Sequence, residues 1–364
     1  MRLRMKEDSR LVRAARVARP LGLALFACAM TIWAGSVAVA VAQERPPNTM
    51  EESKPDTNLE AARTDASVPD PDPLPVAFRP AVSAVERKGL AVEAYSEHRS
   101  DAGRYLAVIY GYPETAGEKA GTKSLKLYFQ RAGSSVVSSS DLIEEAILGF
   151  GTYEDAGTVF ADINKDGILE FVVSAANGGN CWACSNVRIY ALGGPTPRLM
   201  VAEPMVLRDL DGDGSLELLV GDTRWESYDD FSHAAAPGGT MVYQWRDGKY
   251  IFAGGEAKAF YEKELDRYRG ELAEAISVIN AADPMSDERY LGLALSMYIA
   301  RCYTDERERG EEELRRMLVD NAPSGEMRVK RARIMDDFLT GESARLLREP
   351  RRGDLVPNPM ARPR

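Results

Sequence analysis

Histidine and cysteine are scarce in this 364-residue chain, which has two of the first and four of the second. That scarcity excludes several kinds of chemistry. A structural zinc site takes four nitrogen or sulfur ligands, and triad-type hydrolysis needs a base, its orienting group and a nucleophile together. Beyond residue 42 only His98, His233, Cys181, Cys184 and Cys302 are available, so zinc and a histidine-centred triad both lack parts. Positive charge is also in deficit, with 46 Lys and Arg against 56 Asp and Glu for a formal net charge of −10. An acidic chain repels phosphate backbones, which argues against a nucleic-acid partner.

Charge of the opposite sign collects at the N-terminus. Arg2, Arg4, Lys6, Arg10, Arg13, Arg16 and Arg19 precede an uncharged apolar run, 21–42, ending in Ala40-Val41-Ala42. This is the pattern of a signal peptide, and export to the periplasm or cell surface follows. Removing 1–42 takes away seven basic and two acidic residues, so the formal charge moves from −10 to −15. The same run is long enough to stay as a membrane anchor, since about 20 apolar residues span a bilayer; it is the chain's only route to a membrane. Leu25-Phe26-Ala27-Cys28 also resembles a lipoprotein cleavage box. Residues 43–80 carry eight prolines among acidic and small residues, the composition of a disordered linker.

The chain's most informative feature is a repeated acidic loop. Asp162-Ile-Asn-Lys-Asp-Gly-Ile-Leu-Glu170 and Asp209-Leu-Asp-Gly-Asp-Gly-Ser-Leu-Glu217 share one pattern 47 residues apart, each running into a short apolar strand. Hard cations such as Ca2+ take oxygen ligands from alternate positions of a tight loop where glycine permits the turn. Asp162, Asn164, Asp166, the Ile168 carbonyl and Glu170 would serve in the first loop. Asp209, Asp211, Asp213, Ser215 and Glu217 would serve in the second. An EF-hand needs a bidentate Glu at position twelve, where these loops have Val173 and Val220.

Loops of this kind flanked by strands resemble the calcium loops of FG-GAP or VCBS-type repeats, the family of integrin alpha-subunit propellers, over residues 100 to 255. Phe150-Gly151 supplies one Phe-Gly pair, and Glu170 and Glu217 stand where the family usually carries Asp. The resemblance implies bound Ca2+ and blade-like β-units. Period-two patterns at 104–110, 124–129, 170–174, 186–190, 217–221 and 240–245 mark three such units. The first has only Ser100-Asp101-Ala102-Gly103 in place of a metal loop. A closed propeller typically needs at least four blades, so three predict an open arc, strands recruited from around residues 81 to 99, or an edge covered by helices, and the helical region that follows favours the covered edge.

The expected class is therefore mainly β with α: FG-GAP-like repeats over 81–255, an α-helical module over 256–347, and a disordered tail over 348–364. Helical periodicity at 259–268, 290–303 and 311–318 supports the module, either as a helical hairpin faintly like a tetratricopeptide pair or as a small bundle packed on the β-domain. Cys181 and Cys184 predict a local disulfide in an oxidising compartment. Trp182, Trp225, Tyr228 and Phe231 would form an aromatic ligand surface or else cap a small β-core. The functional expectation is a non-catalytic calcium-binding interaction module of the cell envelope, facing a protein or polysaccharide. The alternative is a calcium-dependent envelope hydrolase using Asp222, Glu226, Asp229, Asp230 or His233.

Overall fold

The computed structural model describes residues 74–152, 159–179, 181–194, 196–229, 231–278, 284–320 and 325–348. The targeting segment 1–42, linker residues 43–73, Asp230 and the tail 349–364 lie outside the described residues.

The alternating segments pair as three antiparallel meanders. The first contains β1 (Ala91–Ser100), β2 (Gly103–Gly111), β3 (Lys123–Arg131) and β4 (Val137–Glu145) in that order. The second contains β5 (Ile147–Phe150), β6 (Phe160–Ala161), β7 (Glu170–Ala176), β8 (Ser185–Ala191) and β9 (Arg198–Glu203), with both β5 and β6 paired to β7. The third contains β10 (Met205–Arg208), β11 (Glu217–Gly221), β12 (Thr240–Arg246) and β13 (Lys249–Phe252).

Period-two alternation decides how the sheets stack, because successive side chains of a strand point to opposite faces. On β2, Tyr105, Ala107 and Ile109 join Phe171, Val173 and Ala175 of β7 in one cluster. The intervening Leu106, Val108 and Tyr110 join Phe78 and Val82 in another. Phe78 and Val82 belong to the helix α1 (Arg79–Glu86) and its N-cap, so a helix covers the outer face of the first sheet. Residues 74–80, grouped with the linker on composition, are thus part of the ordered chain. The other face of the second sheet, through Val172, Val187 and Ile189, packs with Leu218, Val220, Met241 and Tyr243 of the third.

That last cluster continues into the C-terminal helices α2 (Lys258–Val278), α3 (Pro284–Tyr303), α4 (Arg307–Asp320), α5 (Gly325–Thr340) and α6 (Glu342–Arg348). No closed ring of sheets is present among the described residues. The helices form a bundle sharing one core with the third sheet. Polar contacts reinforce the seam: the Gly238 amide donates to Ser296 Oγ at 2.8 Å, and the Tyr261 hydroxyl accepts from the Val242 amide at 3.2 Å. Among the described residues no helix is long and apolar enough to cross a membrane.

Candidate metal centre

Each acidic loop ends on the first residue of a middle strand, Glu170 on β7 and Glu217 on β11. Both strands are paired on either side, which buries the two glutamates to 0% and 3% exposure. The loops then fold back by the same hydrogen bonds. Glu170 Oε2 accepts the Ile163 amide at 3.0 Å, and Glu217 Oε2 accepts the Leu210 amide at 2.7 Å. Asp162 Oδ2 accepts the Gly167 amide at 3.1 Å, and Asp209 Oδ2 the Gly214 amide at 3.0 Å. The Ile168 and Ser215 amides donate to Asp166 and Asp213 two residues before them, at 2.8 and 2.7 Å. Gly167 and Gly214 have φ of 84° and 83°, the left-handed region where glycine carries no Cβ penalty.

The electrostatics is unbalanced without a cation. Burial pushes the Glu170 carboxyl up to about 8, opposed by the Ile163 amide and reinforced by the charges of Asp166 and Asp162. Burial likewise raises Glu217, opposed by the Leu210 amide and reinforced by Asp211 and Asp213. Glu170 Oε1 is buried without a hydrogen-bond partner, and a buried unsatisfied acceptor is costly. In the second loop Asp209, Asp211 and Glu217 each offer an oxygen, all within 4.8 Å of one another. These donors are all oxygen, the ligand type of hard divalent cations rather than of zinc or copper.

The two loops also meet. The Leu216 amide donates to the Ile163 carbonyl at 2.7 Å, and Lys165 Cε lies 3.2 Å from where a Cβ on Gly214 would stand. Tyr250 of β13 has a buried hydroxyl without a partner. Its ionisation is opposed first by burial and then by Glu170, Asp166, Glu217 and Asp162, residues of both loops. Sequence reasoning missed Tyr250, whose only local signal is the preceding Asp247-Gly248 turn.

The remaining predicted residues separate. Cys181 and Cys184 are joined by a disulfide across a 3-10 turn that leads into β8. Trp225 is 1% exposed and Phe231 8%, so of the two roles open to them, ligand surface or core cap, their burial fits the core cap. Trp225 and Tyr228 pack on Phe338 of α5 at ring separations of 5.3 and 5.0 Å, within the core that the third sheet shares with the helices. Trp182 remains partly exposed, its amide held by Glu226 Oε1.

The acidic residues of that excursion are also engaged. Asp222 accepts from Arg224 Nε at 2.8 Å, Trp225 Nε1 at 2.8 Å and the Tyr303 hydroxyl at 2.5 Å. Burial alone would raise the Asp222 carboxyl, but Arg224 and Tyr303 hold it below its ordinary value. Asp229 takes Arg333 Nη2 at 2.6 Å. His233 Nδ1 lies 3.5 Å from Glu226 Oε1.

Fold and site together define a class: stacked β-meanders with two acidic turns closed by buried glutamates, the second of which gathers Asp209, Asp211 and Glu217 as a candidate cation site. Comparison of the chain with protein-family models, with curated proteins and with solved structures finds no match.

Proposed function

We propose that the chain is an exported calcium-binding β-repeat protein of the FG-GAP or VCBS type, acting as a non-catalytic interaction module of the cell envelope. One observation carries the calcium reading. A buried carboxylate with an unpartnered oxygen, Glu170, closes a loop whose hydrogen bonds are repeated in a second loop of the same acidic pattern. Clamping Ca2+ would neutralise the clustered carboxylates and hold the first residue of each following strand, so binding energy becomes folding energy. Three meanders stacked face to face are what an open arc of FG-GAP blades would supply, with helices at both ends in place of missing blades.

Export is read from the N-terminal charge and apolar run, and an envelope protein or polysaccharide is the partner class that location implies. A hydrolase built on 222–233 finds less support, since Asp222 and Asp229 are tied into contacts with the helices.

Thermal unfolding of the chain in excess EDTA and with added Ca2+ tests the reading. At 100 times its Kd one ion contributes about 2.7 kcal/mol, which for a domain of this size raises the midpoint by about 5–10 °C. Asp166→Ala and Asp213→Ala should each remove part of that rise. An unchanged midpoint in the parent chain would reduce both loops to metal-free turns.

A further inference from the structure

We propose that the two loops form one coupled two-cation unit, in which loop 209–217 fills first and its occupancy raises the affinity of loop 162–170. This rests on the reading of both loops as cation sites.

The coupling has a continuous physical path. Glu217 closes the second loop, and the residue before it, Leu216, donates its amide to the Ile163 carbonyl at 2.7 Å. Ile163 in turn donates its own amide to Glu170 Oε2 at 3.0 Å, fixing the carboxylate that closes the first loop. A cation that draws Glu217 into place therefore also sets Leu216, Ile163 and Glu170. Ile163 cannot shift freely, because its side chain is 1% exposed within the core shared by the second and third sheets.

One further contact shows that the loops adjoin. The Lys165 side chain lies over Gly214, its Nζ 3.7 Å from a would-be Cβ. The charges of both loops also oppose ionisation of the buried, unpartnered Tyr250 hydroxyl.

The order follows from charge and geometry. Cation affinity rises with the number of charged ligands and the rigidity of the site. The second loop has four carboxylates, Asp209, Asp211, Asp213 and Glu217, against three in the first, where Asn164 is neutral. Three of the second loop's acidic residues already have oxygens gathered within 4.8 Å. At loop position four the backbone is left-handed in both, but the second loop places Gly212 there and the first a lysine, Lys165. A side chain in that region costs about 1 kcal/mol. Repulsion between two ions does not forbid double occupancy, because seven carboxylates exceed the charge of two divalent cations.

Calorimetric titration of the full chain with Ca2+ tests this, using Asp211→Ala and the milder Asp211→Asn for the second loop and Asp166→Ala for the first. Asp211 and Asp166 are exposed, so these changes leave the core intact. The parent chain should bind two ions in two resolved steps. Asp166→Ala should keep the tight step within about twofold. Asp211→Ala should leave one site about fivefold to tenfold weaker than the parent's second step, at the low end of the usual range of coupling between sites, with Asp211→Asn between. A remaining site in Asp211→Ala equal to the parent's second step would make the loops independent. Loss of the tight step in Asp166→Ala would reverse the order; either result overturns the proposal. Absence of binding in the parent chain would instead overturn the underlying reading of the loops as cation sites.

Discussion

Glu170 concentrates the electrostatic problem of the first loop in one side chain, and its pH response has a definite sign. Its carboxyl titrates near 4.5 when unperturbed and at about 8 in the folded, ion-free chain. Between those values the native state keeps a proton that the unfolded chain has released, so stability falls as pH rises through this window. Urea unfolding in EDTA should show a midpoint that declines from pH 5 to 8.5. Saturating Ca2+ should flatten that slope, because the ion replaces the proton. Glu170→Gln should reduce the slope without Ca2+ while weakening Ca2+ binding, leaving the part due to Glu217, and a parent midpoint independent of pH in EDTA would count against the assignment. The acidic group Asp209, Asp211 and Glu217 was legible from its spacing. The burial of Glu170 was not, because it depends on the strands that pair with β7 on either side.

Among the elements, the middle strands were legible and the outer ones were not. Strands such as β7 and β11 are buried on both faces and read as apolar runs. β4, Val-Ser-Ser-Ser-Asp-Leu-Ile-Glu-Glu, is a polar edge strand with little to distinguish it from a loop. The 222–233 excursion shows the converse limit. Its aromatics could serve a surface or a core, and only the presence of α3 and α5 against them selects the core.

Gly292 on α3 tests that contact. Alanine would raise helix propensity by about 1 kcal/mol, yet its Cβ would overlap the Ala235 carbonyl oxygen. Overlap of this kind costs about 1–3 kcal/mol, so Gly292→Ala should destabilise in urea unfolding. A stabilised variant would mean that the Ala235 backbone does not pack this closely on α3 in solution.

For the whole molecule, three sheets cannot close on themselves, and each end of the stack is covered by a different device. The C-terminal helices share a core with the third sheet, and α1 covers the first. If α1 is a true cap, Phe78→Ala should cost about 3–5 kcal/mol, as large-to-small changes at buried aromatics do. It should also increase binding of a hydrophobic dye, by uncovering Leu106, Val108 and Tyr128. A loss below about 1 kcal/mol would make the helix dispensable.

The sequence by itself determined the local features: the repeated acidic loops, the middle strands that follow them, the Cys181–Cys184 pairing and the helical character of the C-terminal third. Each of these depends on residue type and short spacing, which a chain displays without folding. Tertiary structure alone decided the stacking of the sheets, the burial of Trp225, the capping by α1 and the contact between the two loops. Those outcomes depend on which apolar faces find each other across long separations in the chain, and the free energy of that choice belongs to the packed whole.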